Sequence, residues 1–366
     1  MLLILRLGVV AIALVAAFLP LPPSLVERVY SSGLYPAWQR TATALSNRVP
    51  FALLDILIVL AAARALVLLV RIVRPGSRPW VRSALGNGVR LAALAAFLYL
   101  AFLASWGLNY RRTALEARID HDVERVTPEA ASALARRIVA GANRLHPAAH
   151  RDGAPSWEAV AAAIAPSFTS VQAQLRGRGA TLARPGRAKW SALTYYFERA
   201  GVDGMTDPFF LEVLVNRQLL PFERPGVLAH EWAHLAGFAD EAEANFVGWL
   251  VCLQGPPGAQ YSAHLSILWD LLGTLPPAER ERAARDLGAG PRADLQAVAA
   301  RVSRTTPALR HLSWRVYDRY LKANRVEAGV RSYGAALQLL LGTRMAPGWK
   351  PAPRQQARGR AGDGTT

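Results

Sequence analysis

Three apolar segments at the start of the chain constrain its architecture more strongly than any other feature of the sequence. They cover residues 2–20, 51–73 and 91–108. A helix needs about 20 apolar residues to cross the hydrocarbon core of a bilayer, so we predict that each segment forms one membrane-spanning helix. The first segment could instead be a cleaved signal peptide, but prolines follow it where a small-residue cleavage site would be expected.

The distribution of arginine predicts which side of the membrane each loop occupies. The loop between the second and third segments has no acidic residue, and its arginines are Arg71, Arg74, Arg78, Arg82 and Arg90. The loop between the first and second segments contains Glu27 among its arginines. Because short cytoplasmic loops are enriched in Lys and Arg, we place the second loop in the cytoplasm and everything after Leu108 on the extracytoplasmic side.

The net charge of the chain, +17 over 366 residues, comes almost wholly from arginine. A charge of this size is typical of proteins that contact nucleic acid or an anionic membrane surface. The sequence has no zinc-finger spacing and no aromatic-basic ribonucleoprotein pattern, so we expect the lipid bilayer, and no nucleic acid, as a partner. Cys252 is the single cysteine, which excludes intrachain disulfides and leaves histidine and carboxylate side chains as ligands for zinc.

A second constraint comes from the pentapeptide His230-Glu231-Trp232-Ala233-His234. In a helix, residues four apart lie on one face, so His230 and His234 can direct two imidazoles at one zinc ion. Glu231 can lie beside the open position of the metal and act as a general base for a metal-activated water. The sequence therefore predicts a hydrolytic zinc site; the alternative is a surface helix with two solvated histidines.

The residues after the second histidine can supply a third zinc ligand. Gly237 is a helix stop signal, and Asp240 can cap a second helix with Glu243 as its capping-box partner. This arrangement leaves Glu241 free to turn back toward the histidines, and two His with one Glu is a known catalytic zinc set. Asn245 lies one turn beyond Glu241, where it could orient a ligating histidine. Glu243 or Asp240 as the third ligand stays open, because the choice rests on the capping pattern alone.

Beyond the three segments, the chain is predicted to be mainly helical with one small β element. Helices are expected to start at Thr127 and Ser156, and strands are expected at residues 192–197 and 209–215, joined by a turn over 201–204. The later helices are predicted over residues 246–253, 264–275, 277–287, 293–302, 312–323 and 330–341. The end of the chain is rich in Pro, Gly and Arg and is predicted to be a disordered tail.

These elements predict a multi-pass α-helical membrane anchor at residues 1–108 and a mainly α (α+β) extracytoplasmic domain at residues 109–345, followed by the tail at 346–366. The helix with the two histidines covers about residues 228–238 and is flanked by charged residues. It is too short and too polar at its ends to cross a bilayer, so an intramembrane protease is not expected.

Several short motifs give the chain a family resemblance. They are YSSGLYP at residues 30–36, VPFALLD at 49–55, WGLNYRR at 106–112, GVDGMTDPF at 201–209, HEWAHLAGFADEAEANF at 230–246, DRYLKAN at 318–324 and GVRSYG at 329–334. Together they resemble the domain-of-unknown-function 3810 family of bacterial membrane proteins, regarded as zinc metallopeptidases of the gluzincin type. The resemblance implies a zincin-like domain on a bacterial cytoplasmic membrane, with His230, His234 and Glu241 as zinc ligands and Glu231 as the base. It also implies that Asn245 orients one of the ligating histidines. It implies no particular substrate.

The sequence thus leads to the hypothesis of a membrane-anchored zinc peptidase that cleaves a protein or peptide. The predicted strand at residues 209–215 could pair with an extended substrate, or it could be an internal strand of the core. The competing hypothesis is a non-catalytic membrane sensor or scaffold with a structural zinc or a vestigial site. No group is assigned to stabilise an oxyanion, because the aromatic and imidazole candidates are expected to pack as ordinary helix residues: Tyr317, Tyr320, Tyr333 and His311.

Overall fold

The computed structural model of the protein describes residues 1–74, 80–151, 153–177, 179–324 and 335–353. Most of these residues are helical. The helices are α1 (Leu2–Phe18), α2 (Pro23–Leu25), α3 (Tyr35–Ser46), α4 (Leu53–Val73), α5 (Trp80–Ser105), α6 (Pro128–Ala149), α7 (Trp157–Arg176), α8 (Thr194–Ala200), α9 (Arg224–Leu235), α10 (Glu241–Leu253), α11 (Pro257–Thr274), α12 (Pro277–Asp286), α13 (Ala289–Ser303), α14 (Pro307–Ala323) and α15 (Ala335–Gly342). The strands are β1 (Ala188–Lys189), β2 (Gly204–Thr206), β3 (Val213–Val215), β4 (Met345–Ala346) and β5 (Lys350–Pro351).

Two helices in the described part of the chain, α4 and α5, are each long and apolar enough to cross a membrane. The helix α1 meets these criteria only together with the helical stretch Pro23–Ser46, to which it is bent by 110°. The second predicted span agrees closely with α4, whereas α5 begins at Trp80 and not at Leu91, and it ends at Ser105. Arg82 and Arg90, which the sequence placed in the loop before the third span, lie in the first turns of α5.

Residues 21–50, which the sequence suggested as a simple loop, form a helical arm that packs on the rest of the protein. A π-helix, Val26–Leu34, joins α2 to α3 within this arm. The buried side chains of α3 bond to distant backbone: the Tyr35 hydroxyl donates to the Leu235 carbonyl at 2.8 Å, and the Thr43 hydroxyl donates to that of Leu211 at 2.7 Å. The arm therefore fixes the end of α9, the helix that carries the paired histidines.

The small β element is a three-stranded sheet in the order β1-β3-β2. Strand β3 is central and fully buried, with β1 parallel and β2 antiparallel to it. The strand predicted at residues 209–215 forms only over Val213–Val215. Its start is shorter because the Asp207 carboxylate accepts hydrogen bonds from the Phe209 and Phe210 amides and holds a turn there. The turn expected around Gly204 is the strand β2.

The prediction of a strand at residues 192–197 is wrong, because this segment enters helix α8. Tyr195 is 68% exposed while Phe197 and Ala200 are buried. A spacing of three residues between buried positions belongs to a helix, so tertiary packing outweighs the β preference of the aromatic residues.

The remaining helices largely follow the predicted pattern. Thr127 and Ser156 cap α6 and α7 by accepting from the amides of Ala130 and Ala159. Helices α11, α13 and α14 begin earlier than predicted, and residues 325–334 lie outside the described part of the chain. Strands β4 and β5 pair with each other, so the tail boundary predicted at residue 346 is too early; residues 354–366 are not described.

Candidate metal centre

A sharp turn between α9 and α10 brings two helix ends together. Gly237 has a φ of 83°, a conformation that favours glycine. Its amide donates to the His234 carbonyl at 2.9 Å, and the Phe238 amide donates to that of Ala233 at 3.1 Å. These bonds close the last turn of α9 and reverse the chain, as the stop signal in the sequence predicts.

The start of α10 decides which carboxylate faces the histidines. The Asp240 side chain caps the helix by accepting from the amides of Ala242 and Glu243, at 2.8 and 3.2 Å. Glu243 does not return as a capping-box partner, which corrects the sequence interpretation; its carboxylate accepts from the Leu115 amide at 2.6 Å. Asp240 and Glu243 are thus engaged elsewhere, while Glu241 points back toward α9.

The paired histidines and Glu241 surround a common point. The His230 and His234 Nε2 atoms are 3.1 Å apart, and each lies 3.5 Å from a carboxylate oxygen of Glu241. Bonds of about 2.0–2.2 Å from a tetrahedral zinc ion to N and O ligands imply ligand separations of roughly 3.3–3.5 Å. The three side chains therefore already have the spacing that one zinc ion requires.

Burial and charge at these three residues also fit a cation. The side chains of His234 and Glu241 are 9% and 4% exposed, and the Glu241 Oε2 atom is buried without a hydrogen-bond partner. Burial favours the neutral acid, but the charges of His234 and His230 and the hydrogen bonds from His234 and Tyr317 together outweigh it and hold the pKa of Glu241 below its usual value. A buried carboxylate that stays ionised beside two imidazoles is a donor set for a divalent metal.

Backbone and side-chain contacts orient the two imidazoles. The His234 Nδ1 atom lies 2.8 Å from the Phe238 carbonyl, so it donates a proton there, and this bond directs Nε2 toward His230 and Glu241. Trp106, just after α5, donates from Nε1 to the His234 carbonyl at 3.0 Å. Burial, followed by the charge of His234, lowers the pKa of His230 to about 4, and Asn245 acts in the opposite direction from α10. Both imidazoles thus lie on the face of α9 that Asn245 and Glu241 border.

Strand β2 fixes the position of Glu231, which is 3% exposed. The Thr206 hydroxyl lies 2.8 Å from Glu231 Oε2, and a Cβ atom at Gly204 would lie 2.6 Å from Oε1. Burial raises the pKa of Glu231 to about 7, while the Thr206 hydrogen bond opposes that rise. Sequence reasoning missed both β2 residues, since it treated the stretch as a turn, although both lie in the GVDGMTDPF motif at residues 201–209.

A tyrosine from a distant helix completes the site. The Tyr317 hydroxyl on α14 donates a hydrogen bond to Glu241 Oε1, although the sequence suggested an ordinary packing residue. The Tyr320 ring stacks on that of Tyr317 at 5.9 Å between centroids, and Tyr110 meets Tyr320 edge to face at 6.0 Å. Tyr317 therefore orients the Glu241 carboxylate by its hydrogen bond. The rings of Tyr317, Tyr320 and Tyr110 pack in a row that links α14 to the segment after α5.

Comparison with known proteins gives a family and no activity. A family model described as "Protein of unknown function (DUF3810)" matches residues 30–341, most of the chain. No curated protein and no solved structure matches. The match confirms the family resemblance drawn from the motifs, and the activity must be argued from the site itself.

Proposed function

The chain belongs to the DUF3810 family, and we propose that it is a membrane-anchored, zinc-dependent peptidase. The observation that carries this proposal is the joint placement of His230, His234 and Glu241 at the separations of zinc ligands, with the Glu231 carboxylate held beside them by β2. Three protein ligands with an adjacent buried carboxylate are the parts that metal-assisted hydrolysis needs.

An open coordination position favours a catalytic over a structural zinc. Structural sites use four protein ligands, whereas catalytic sites use three and keep one position for water. Among the described residues, the cluster at His230 contains no fourth His, Cys, Asp or Glu. The two residues that could have closed it, Asp240 and Glu243, bond to backbone amides. This argues against the sensor or scaffold hypothesis with a closed zinc site.

Each residue of the site has a distinct role in the proposed reaction. A zinc ion held by the three ligands would lower the pKa of water and polarise a peptide carbonyl. Glu231 accepts the proton from the attacking water and passes it to the leaving amine. Thr206 keeps the Glu231 carboxylate in place, and Tyr317 is a positioning residue that orients Glu241.

We place the substrate backbone beside β2. The strand at 213–215 lies between β1 and β2 and is fully buried, so the suggestion that it pairs with a substrate is wrong. Strand β2 is an edge of this sheet, and its residues Gly204 and Thr206 adjoin Glu231. An extended peptide added at an edge strand would lie along the site with its carbonyls toward the ligands.

The membrane part of the proposal rests on α4 and α5. Both are long and apolar enough to span a bilayer. Four arginines lie near the connection between the two helices in the sequence: Arg71, Arg74, Arg82 and Arg90. Following the bias of positive charge toward the cytoplasm, we propose that the metal centre lies on the extracytoplasmic side of a bacterial cytoplasmic membrane.

Replacement of the proposed base tests the function. Full-length protein in detergent would be incubated with zinc and a library of quenched fluorescent peptides, comparing wild type, Glu231→Gln and the exposed control Glu281→Gln. We expect Glu231→Gln to keep its zinc and lose about 10²–10⁴-fold in rate, as for removal of a general base. Cleavage at the wild-type rate would refute the mechanism. Zinc-loaded wild type that cleaves no peptide would favour the sensor or scaffold.

A further inference from the structure

A second group of potential metal ligands lies where α6 ends against α13. It consists of His146 and His150, four residues apart at the end of α6, and Asp294 on α13. We propose that these three side chains form a second site for a divalent transition-metal ion. This inference does not depend on the proposed peptidase activity, because the two groups share no residue.

The ligand atoms of this group converge on one carboxylate oxygen. The Nε2 atoms of His150 and His146 lie 2.7 and 3.7 Å from Asp294 Oδ2. The three ligand atoms lie within 4.8 Å of one another, so a small rotation of the side chains brings them around a single ion. Two imidazoles and a carboxylate are ligands suited to zinc and its neighbours in the first transition row.

Asp294 lacks a permanent positive partner. It is 8% exposed, and within the described residues no lysine or arginine pairs with it; its ion-pair partners are the two histidines. A buried carboxylate needs a compensating charge or several hydrogen bonds. Asp294 Oδ2 accepts a hydrogen bond from the Tyr261 hydroxyl on α11 and lies at hydrogen-bond distance, 2.7 Å, from His150 Nε2; the tyrosine also fixes the orientation of the carboxylate. A metal ion would supply the missing charge.

The two imidazoles are brought together by packing before any ion binds. Their ring centroids are 4.4 Å apart, and the Tyr261 ring meets both edge to face at 5.7 and 5.9 Å. At Gly290, in the first turn of α13, a Cβ atom would overlap the His146 ring, so the absence of a side chain makes room for it. The site is therefore preorganised by α6, α11 and α13 together.

The surroundings indicate that this ion would brace helices and would not catalyse hydrolysis. The His146 and His150 side chains are 28% and 40% exposed, which gives an ion and its waters access from solvent. The position after His146 is Pro147, whereas the first site has the carboxylate Glu231 there. An ion would tie α13 to α6, and Arg301 at the far end of α13 bonds Asp203 and Glu223, which flank β2 and α9.

Metal titration of full-length protein in detergent tests this inference. The first site would be disabled with Glu241→Gln, bound metal stripped with a chelator, and Co²⁺ and Zn²⁺ added back while metal per chain and the cobalt spectrum are measured. We expect one remaining equivalent in this background. Adding His150→Ala should remove it, whereas the exposed histidine variant His311→Ala should leave it in place.

Asp294→Asn keeps the shape of the side chain and separates loss of metal from loss of fold. We expect it to lower the affinity of the remaining equivalent at least about tenfold, with unchanged helical content. No metal in the Glu241→Gln background, or metal unaffected by both His150→Ala and Asp294→Asn, would overturn the inference. Retention of two equivalents in Glu241→Gln would count against the first site instead, so the two proposals fail in different ways.

Discussion

The two histidine pairs share a spacing, HEWAH on α9 and HPAAH on α6, but their surroundings differ. Each pair meets a carboxylate from another helix, Glu241 or Asp294, and in each case a tyrosine hydroxyl donates to that carboxylate. Only the α9 pair has a buried carboxylate at the next position, held by β2. In the proposed sites the spacing would therefore provide two nitrogen ligands, and the neighbouring residues would decide whether a site has a base for hydrolysis.

The largest effect that separates the two sites should come from their tyrosines. Tyr317→Phe removes the hydrogen bond to Glu241, and Tyr261→Phe removes the one to Asp294. Loss of such a partner typically lowers metal affinity or activity about 10–100-fold. We expect Tyr317→Phe to weaken zinc at the first site together with hydrolysis, and Tyr261→Phe to weaken the second site.

Zinc titrations and peptide cleavage on the same preparations would check this pair of variants, with the exposed Tyr195→Phe as a control. Sites without shared partners should respond independently. Equal loss at both sites from either substitution would contradict the separation between them and indicate a general loss of structure.

A smaller effect concerns the pH dependence of the first site. Burial raises the pKa of Glu231 to about 7, and the Thr206 hydrogen bond lowers it. A base acts when ionised, so the rate should fall as the pH decreases through this pKa. A bound cation lowers the pKa of a nearby carboxyl, and we therefore expect the acid limb of the wild-type profile at or below pH 7.

Thr206→Val should move that acid limb to higher pH, because it removes a hydrogen bond that favours the ionised form. The rate of peptide cleavage against pH, measured with saturating zinc, would detect the shift, and the exposed Thr169→Val is the matched control. A limb that stays in place, or moves to lower pH, would contradict the assignment of Glu231 as the base.

The grouping of His230, His234 and Glu241 could be predicted because its signals lie within sixteen consecutive residues. The spacing of the histidines, the stop at Gly237 and the cap at Asp240 all depend on local backbone geometry, and together they direct Glu241 toward the two histidines. The expected role of Glu243 was wrong because a tertiary contact, the Leu115 amide, takes its carboxylate. Local rules therefore predict that these three side chains lie together, but they do not predict every side chain near them.

The remaining features could not be predicted, because they arise from contacts between distant parts of the chain. Tyr317 reaches Glu241 from α14, and Thr206 reaches Glu231 from β2. The helical arm that bonds Leu235 through Tyr35 was interpreted as a loop between spans. The second histidine pair has the same spacing as the first, but its carboxylate, Asp294, belongs to a helix far along the sequence, so no local pattern completes the group.

The zinc content of full-length wild type, Glu241→Gln and Glu243→Gln tests the central claim most directly. Both glutamates are buried near the start of α10, and glutamine preserves their size. We predict that Glu241→Gln loses one equivalent of zinc relative to wild type, while Glu243→Gln retains it, since an amide can still accept from Leu115. Wild-type zinc content in Glu241→Gln, or a loss confined to Glu243→Gln, would contradict the proposed His-His-Glu centre.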